Sequence, residues 1–328
     1  NRKTSFIRIN TILMPITFDW SETLPTLPPE WRATKGTGVK AAFIDTGVNF
    51  GHPSLGHLNK AGRKFFTGAT GFSPSKLTGQ DPVGEFFGGP GIGHGTLYAS
   101  LLAGKNSDDP PPDKDLVAGI APDADWYIIK ARNANDRKTT IRNLLDALEL
   151  CANLGVEIAI TGQCISASEM PFEGISDADL NRVFGLPGLQ KMAVFAPLKN
   201  LETTDSWQGV TNNNIPGRRP EVFNVCRLPE NIGPLADTIT QLPIPFLLHG
   251  FQGKVLTKTG NFVDLNFSNS GAVAIMGGIA VLALSFFKTQ HPGSTPNHDA
   301  LRQMLGDACQ PLDNALSNLV PPAIFKNF

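Results

Sequence analysis

Apolar positions fall in short unbroken runs separated by helical stripes along most of the chain. Val39–Ile44 is one such run, ending at Asp45-Thr46-Gly47. A short run without polar alternation predicts a buried parallel strand, with Asp45 at its C-terminal end. Residues 56–92 are glycine-rich, carry no strong period and are expected to be loop. From Gly93 to Gly104, Leu97, Leu101 and Leu102 recur at helical spacing, so a helix is expected. Strands are expected at 117–120 and at 124–131, the second centred on Trp126-Tyr127-Ile128-Ile129. Thr140–Asn153 reads as an amphipathic helix, with Ile141, Leu144, Leu145 and Leu148 on one face and Gly155 after its end. Further strands are expected at 156–160, 192–196 and 221–225, and further helices at 177–191, 271–287 and 298–307. Strands alternating with helices predict an α/β fold, a parallel sheet with helices on both faces. Residues 1–35 carry four scattered prolines, Pro15, Pro25, Pro28 and Pro29, and read as an irregular arm. Residues 36–328 read as one domain, with no dividing linker and no internal repeat.

Composition narrows the class. Of the 328 residues, 41% are hydrophobic, too many for a disordered chain, and 17% are charged, too few for a coiled coil. The formal net charge of −1 offers no basic excess to neutralise phosphates, so nucleic acid is not an expected partner. The longest uncharged stretch, 266–287, is long enough to span a bilayer. It opens with Ser268, Asn269 and Ser270, contains three glycines and lacks a basic flank before it, so a buried core helix is expected and no membrane span. Cys151, Cys164, Cys226 and Cys309 are far apart and show no metal-ligand spacing. They are expected as free thiols in buried helix or strand, which leans against an oxidising compartment. A monomer is expected. No P-loop and no dinucleotide-binding fingerprint occurs, and His57, His249, His291 and His298 have no ligand spacing.

Three segments carry candidate chemistry. Asp45-Thr46-Gly47 is followed by His52-Pro53 and Leu55; Gly93-His94-Gly95-Thr96 opens one expected helix; Ser268-Asn269-Ser270-Gly271-Ala272 opens another. Singly, each is ordinary: a strand-end aspartate, a turn histidine, a helix N-cap. Their order, Asp then His then Ser, is what points to a nucleophile, its base and the group that orients the base.

With these motifs the chain resembles the subtilisin-like serine peptidases, the subtilases, as a divergent member. The family pattern Asp-[Thr/Ser]-Gly with a following His-Pro-x-Leu stands here at Asp45–Leu55, and its His-Gly-Thr at His94–Thr96. The segments 117–122, 219–225 and 246–250 resemble further family segments in the right order. The resemblance implies a three-layer subtilisin-like fold with a central, mostly parallel sheet. It implies a serine endopeptidase acting on a peptide or protein through an acyl-enzyme, with catalytic residues Asp45, His94 and Ser270. Asn200, at the end of the run Val194–Asn200, is the implied oxyanion donor. A peptide macrocyclase or transpeptidase using the same triad is an alternative, as is a non-hydrolytic binding protein on the same scaffold.

The departures lie around the cleft. The nucleophile motif usually reads Gly-Thr-Ser-Met-Ala-x-Pro-His; here Ser268, Asn269 and Ser270 fill its first three places, followed by Gly271-Ala272-Val273-Ala274-Ile275. Gly271 lowers helix propensity by up to about 1 kcal/mol relative to Ala, so a looser turn is expected. The Ser-Leu-Gly edge that pairs with substrate is replaced by Thr161-Gly162-Gln163, making Gly162 and Gln163 candidate substrate-binding residues. Lys199 stands where the family places Gly on the pocket floor; pointing inward it fills the pocket or selects an acidic side chain, and pointing outward it is a surface lysine. No cofactor and no catalytic metal are expected. Family calcium sites use oxygens such as those of Asp108, Asp109, Asp113 and Asp115, although EF-hand spacing is absent and a solvated loop is the simpler reading. Family analogy implies secretion. The scattered cysteines, and a glycosylation acceptor at Asn266-Phe267-Ser268 beside the nucleophile, lean toward an intracellular site.

Overall fold

The computed structural model describes residues 17–19, 27–60, 62–68, 71–72, 93–106, 116–131, 139–198, 213–227, 246–248, 252–256, 262–266, 268–308, 310–311 and 323–325. In chain order these hold β1 (Thr17–Asp19), α1 (Pro29–Thr34), β2 (Lys40–Asp45), β3 (Lys64–Gly68), β4 (Gly71–Phe72), α2 (His94–Ala103), β5 (Leu116–Ala118), β6 (Asp125–Lys130) and α3 (Ile141–Leu154). There follow β7 (Ile158–Thr161), β8 (Ile165–Ser166), α4 (Asp177–Phe184), β9 (Ala193–Pro197), β10 (Asn214–Ile215), β11 (Val222–Arg227), β12 (Phe246–Leu248), β13 (Gln252–Leu256) and β14 (Phe262–Asn266). The last are α5 (Asn269–Gln290), α6 (His298–Asp307), β15 (Gln310–Pro311) and β16 (Ala323–Phe325).

Among the described residues, ten strands form the central sheet in the order β15-β16-β12-β11-β9-β7-β2-β6-β3-β4. Every pairing from β3 across to β12 is parallel, while β3–β4 and β12–β16 are antiparallel. Both faces are covered, which is why the strands read as unbroken apolar runs. Ala41 and Phe43 of β2 join one core with α1, α2, α5 and α6; Ala42 and Ile44 join the other with α3 and α4. The three layers of the α/β fold follow from that alternation.

The chain leaves β2 for β6 on one side and later places β7 on the other. Such a switch point opens a crevice at the carboxyl ends of the strands, the usual place for a site in an open α/β sheet. Asp45 ends β2 and Thr161 ends β7, so the crevice opens between the two motif-bearing segments.

Several elements differ from the sequence expectation. The expected loop at 56–92 contains β3, which enters the central sheet beside β6, and β4. Flanking glycines hide the short run Lys64–Gly68. The helix expected at 177–191 ends at Phe184, since Gly185 and Pro187 break it, and only a 3-10 turn at Leu189–Lys191 follows. Residues 1–35, expected to be irregular, contain β1, paired with β5, and α1, whose Trp31 lies in the core. Cys151 and Cys226 are buried free thiols as expected. Cys164 is only half-buried, in the loop between β7 and β8, because Thr161 already ends the strand. Cys309 and the loop aspartates 108, 109, 113 and 115 lie outside the described residues. Helix α5 is by length and composition able to cross a membrane, but 83% of its most apolar window is buried inside the protein, as in a core helix.

Candidate active site

The Asp45 carboxylate is 1% exposed at the end of β2. Burial of a charge demands partners, and it has them. The Thr46 backbone N–H donates to Oδ1 at 2.6 Å, and His94 Nδ1 lies 2.7 Å from Oδ1 and 3.0 Å from Oδ2. A carboxylate only accepts, so the proton sits on Nδ1, and the Nε2 of neutral His94 is left as an acceptor.

His94 is the first residue of α2, and two reciprocal bonds dock that helix terminus on the Asp45 turn. The Gly95 N–H donates to Thr46 Oγ1 at 2.9 Å, and the Asn49 N–H donates to Thr96 Oγ1 at 3.0 Å. Gly95 is required for this approach, since a Cβ there would overlap the Gly47 carbonyl oxygen. Gly162 closes the site from the β7 side. A Cβ at Gly162 would overlap Asp45 Oδ2 and lie 3.4 Å from His94 Cε1. Gly162, expected to bind substrate, therefore backs directly on the Asp45–His94 pair.

Gln163 is drawn inward. Its backbone N–H donates to Thr161 Oγ1 at 3.1 Å, the Thr161 hydroxyl donates to its carbonyl, and its Oε1 accepts from Thr139 Oγ1. A substrate strand reaching this edge finds the Gln163 backbone already engaged.

Ser270 is the second residue of α5 and is half-buried. Ser268 is the N-cap by backbone geometry but its side chain does not cap the helix. Its Oγ lies instead 3.3 Å from the Tyr98 hydroxyl. Asn269, 4% exposed, bridges two strand ends: its Nδ2 donates to the Leu198 carbonyl at 2.9 Å, and its Oδ1 accepts from the Arg227 N–H at 2.6 Å. The first turn of α5 is thereby fixed to the carboxyl ends of β9 and β11. Gly271, expected to loosen this turn, is buried within regular helix. Asn200 and Lys199, one and two residues past the braced Leu198, lie outside the described residues.

Sequence reasoning overlooked Tyr98 and the brace at Asn269. Tyr98 is one helical turn after His94 and therefore shares its face. The two rings meet edge to face, with centroids 4.8 Å apart and planes at 74°. Burial pushes the Tyr98 phenol up to about 12, against the opposing effect of the Ser268 hydrogen bond. An amide opening an apolar core helix beside Ser270 was the signal for Asn269, since such a group needs both a donor and an acceptor partner.

Comparison with known proteins gives this geometry a context. The model of the Subtilase family matches residues 36–167. Mycosin-3 of Mycobacterium tuberculosis is 26% identical over 292 residues, which is 77% of this chain and 55% of that protein. The chain thus spans little more than half the length of that relative. Among solved structures, MycP1 from Mycobacterium smegmatis superimposes with a TM-score of 0.56 at 20% identity, covering 98% of this chain and 85% of that one. The prenylagaramide maturation protease PagA superimposes with a TM-score of 0.54 at 19% identity, covering 89% and 87%.

Proposed function

We propose that the chain, whose residues 36–167 match the Subtilase family model, is a divergent member of that family and a serine endopeptidase whose triad is Asp45, His94 and Ser270. The observation that carries this reading is the Asp45–His94 bond, made by a buried carboxylate to the imidazole Nδ1. Ser270 at the mouth of α5 supplies the hydroxyl.

A serine hydroxyl is a weak nucleophile at neutral pH. His94 Nε2 takes its proton as Oγ bonds to the carbonyl carbon of the substrate, and Asp45 stabilises the imidazolium that forms. The resulting oxyanion is received by the Ser270 N–H, where the helix terminus favours negative charge, and by the Asn200 side chain. Collapse breaks the C–N bond, and the departing amine takes the proton from His94. Water, deprotonated in turn by His94, attacks the acyl carbon; the C–Oγ bond breaks, His94 returns the proton to Ser270 Oγ, and the acid is released. Every proton transfer is handled by the triad, so the reading needs no metal or organic cofactor. The substrate is a peptide or protein, for which the family resemblance implies Gly162, Gln163 and Lys199 as binding residues. Secretion is the reading by family analogy; the buried free thiols of Cys151 and Cys226 support an intracellular site as the second reading.

Transfer of the acyl group to a peptide amine is the alternative, since it shares every step up to the acyl-enzyme. Non-hydrolytic binding is the remaining reading. Intact-mass spectrometry after incubation with a fluorophosphonate separates the binding reading from both enzyme readings. We expect one adduct on the wild type and none on Ser270→Ala or His94→Ala. An unlabelled, folded wild type would overturn the enzyme reading in favour of the binding protein. With a cleaved peptide in hand, product mass distinguishes hydrolysis, which adds one water, from cyclisation, which adds none.

A further inference from the structure

We propose that Tyr98 is a positioning residue for this site. Its ring fixes the His94 imidazole, and its hydroxyl, through Ser268, ties the helix of the base to the helix of the nucleophile. The inference rests on the roles assigned to His94 and Ser270 above.

Base and nucleophile sit on separate helices whose first turns are more than 170 residues apart in the chain. Their relative position therefore depends on what crosses between α2 and α5. A misplacement of about 1 Å can cost about 10²-fold in rate. Tyr98 is 3% exposed and makes both contacts that matter: edge to face with His94, and 3.3 Å from Ser268 Oγ. Ser268 is two residues before the nucleophile, and its hydroxyl is not spent on capping α5. At this place the family motif has Gly, which has no side chain to offer, so the tie belongs to this chain. Burial raises the phenol above its ordinary value, so it stays protonated, and either hydroxyl of the pair can donate. The Asp45 carboxylate contributes in the same direction.

A purely space-filling Tyr98 makes a different prediction. Phenylalanine would then serve equally well, and Ser268 would be indifferent. The test is a double-mutant cycle on the full chain, reading the fluorophosphonate inactivation rate at saturation (kinact) separately from the probe's half-saturating concentration (KI). Tyr98→Phe and Ser268→Ala should each lower kinact by about three- to tenfold, the range a single neutral hydrogen bond spans, with KI unchanged. The double variant should be no slower than the slower single one. Ser268→Gly, the family residue, should match Ser268→Ala. If Tyr98→Phe fails to fold, Ser268→Ala and Ser268→Gly carry the same prediction at a half-buried position.

Both single variants at the wild-type kinact would overturn the inference, as would multiplicative losses in the double variant or a change confined to KI. A folded wild type that takes no label overturns the enzyme reading and this inference together. A labelled wild type with unaffected variants overturns this inference alone.

Discussion

The Asp45–His94 half of the site and the Ser270 half are held in different ways. In the first, the motif residues brace one another: Thr46 receives the Gly95 N–H, Thr96 receives the Asn49 N–H, and Gly162 backs on the carboxylate. The family model matches this half and stops at residue 167, before α5. In the second half the motif is altered, and two substituted side chains hold the turn. Ser268 reaches Tyr98, and Asn269 spans Leu198 and Arg227. What a catalytic turn needs is a fixed helix terminus, and more than one set of hydrogen bonds can fix it.

The contrast can be broken at four places. Gly162→Ala should have the largest effect. Its Cβ would overlap Asp45 Oδ2, the pair must shift, and fluorophosphonate labelling should fall by at least about 10²-fold. Labelling at the wild-type rate would show that the pair has room the structure does not give it. Asn269→Ala comes next. It strips the Leu198 carbonyl and the Arg227 N–H of a partner, costing on the order of 2 kcal/mol, read as a lowered Tm together with slowed labelling.

Thr96→Val removes one acceptor from the more redundant half. It should cost about 1 kcal/mol in unfolding free energy and slow labelling less than Asn269→Ala does. Equal effects would mean that the two halves are held alike. The smallest effect is a slope. Burial, with Lys105 and Lys60 adding to it, lowers His57 from 6.5 to about 4. The unfolded chain takes up that proton first as pH falls, so stability should decline from about pH 6.5 to about pH 4 and then level off. A Tm-against-pH series in which His57→Asn keeps the full wild-type slope would remove His57 as its source.

The sequence made the motif residues legible because their chemistry depends on residue type and on spacing within one segment. Asp45, His94 and Ser270 are such cases, and so are β2 and α3, whose apolar runs and stripes are local. The bond between Asp45 and His94 crosses 49 residues, and the order of the motifs was enough to anticipate it. The contact between Tyr98 and Ser268 crosses 170, and nothing local to either residue announces it. β3 was missed because two phenylalanines between glycines carry too little pattern. Gly162 was assigned to the substrate edge, yet its lack of a side chain is required by the carboxylate behind it, a constraint only the folded chain displays.

Helix α5 carries one more consequence. Its apolar length runs through the main core, and its far end is fastened to the α1–β2 connection by Ser285, which donates to the Thr37 carbonyl, and by Lys288, which donates to the Gly38 carbonyl and pairs with Glu157. Ser270 thus sits at the tip of the molecule's central beam. Displacing the helix that carries it means opening the core. Heat or denaturant should therefore extinguish labelling at the same midpoint as the loss of secondary structure, and a dormant yet folded enzyme should not accumulate along the way.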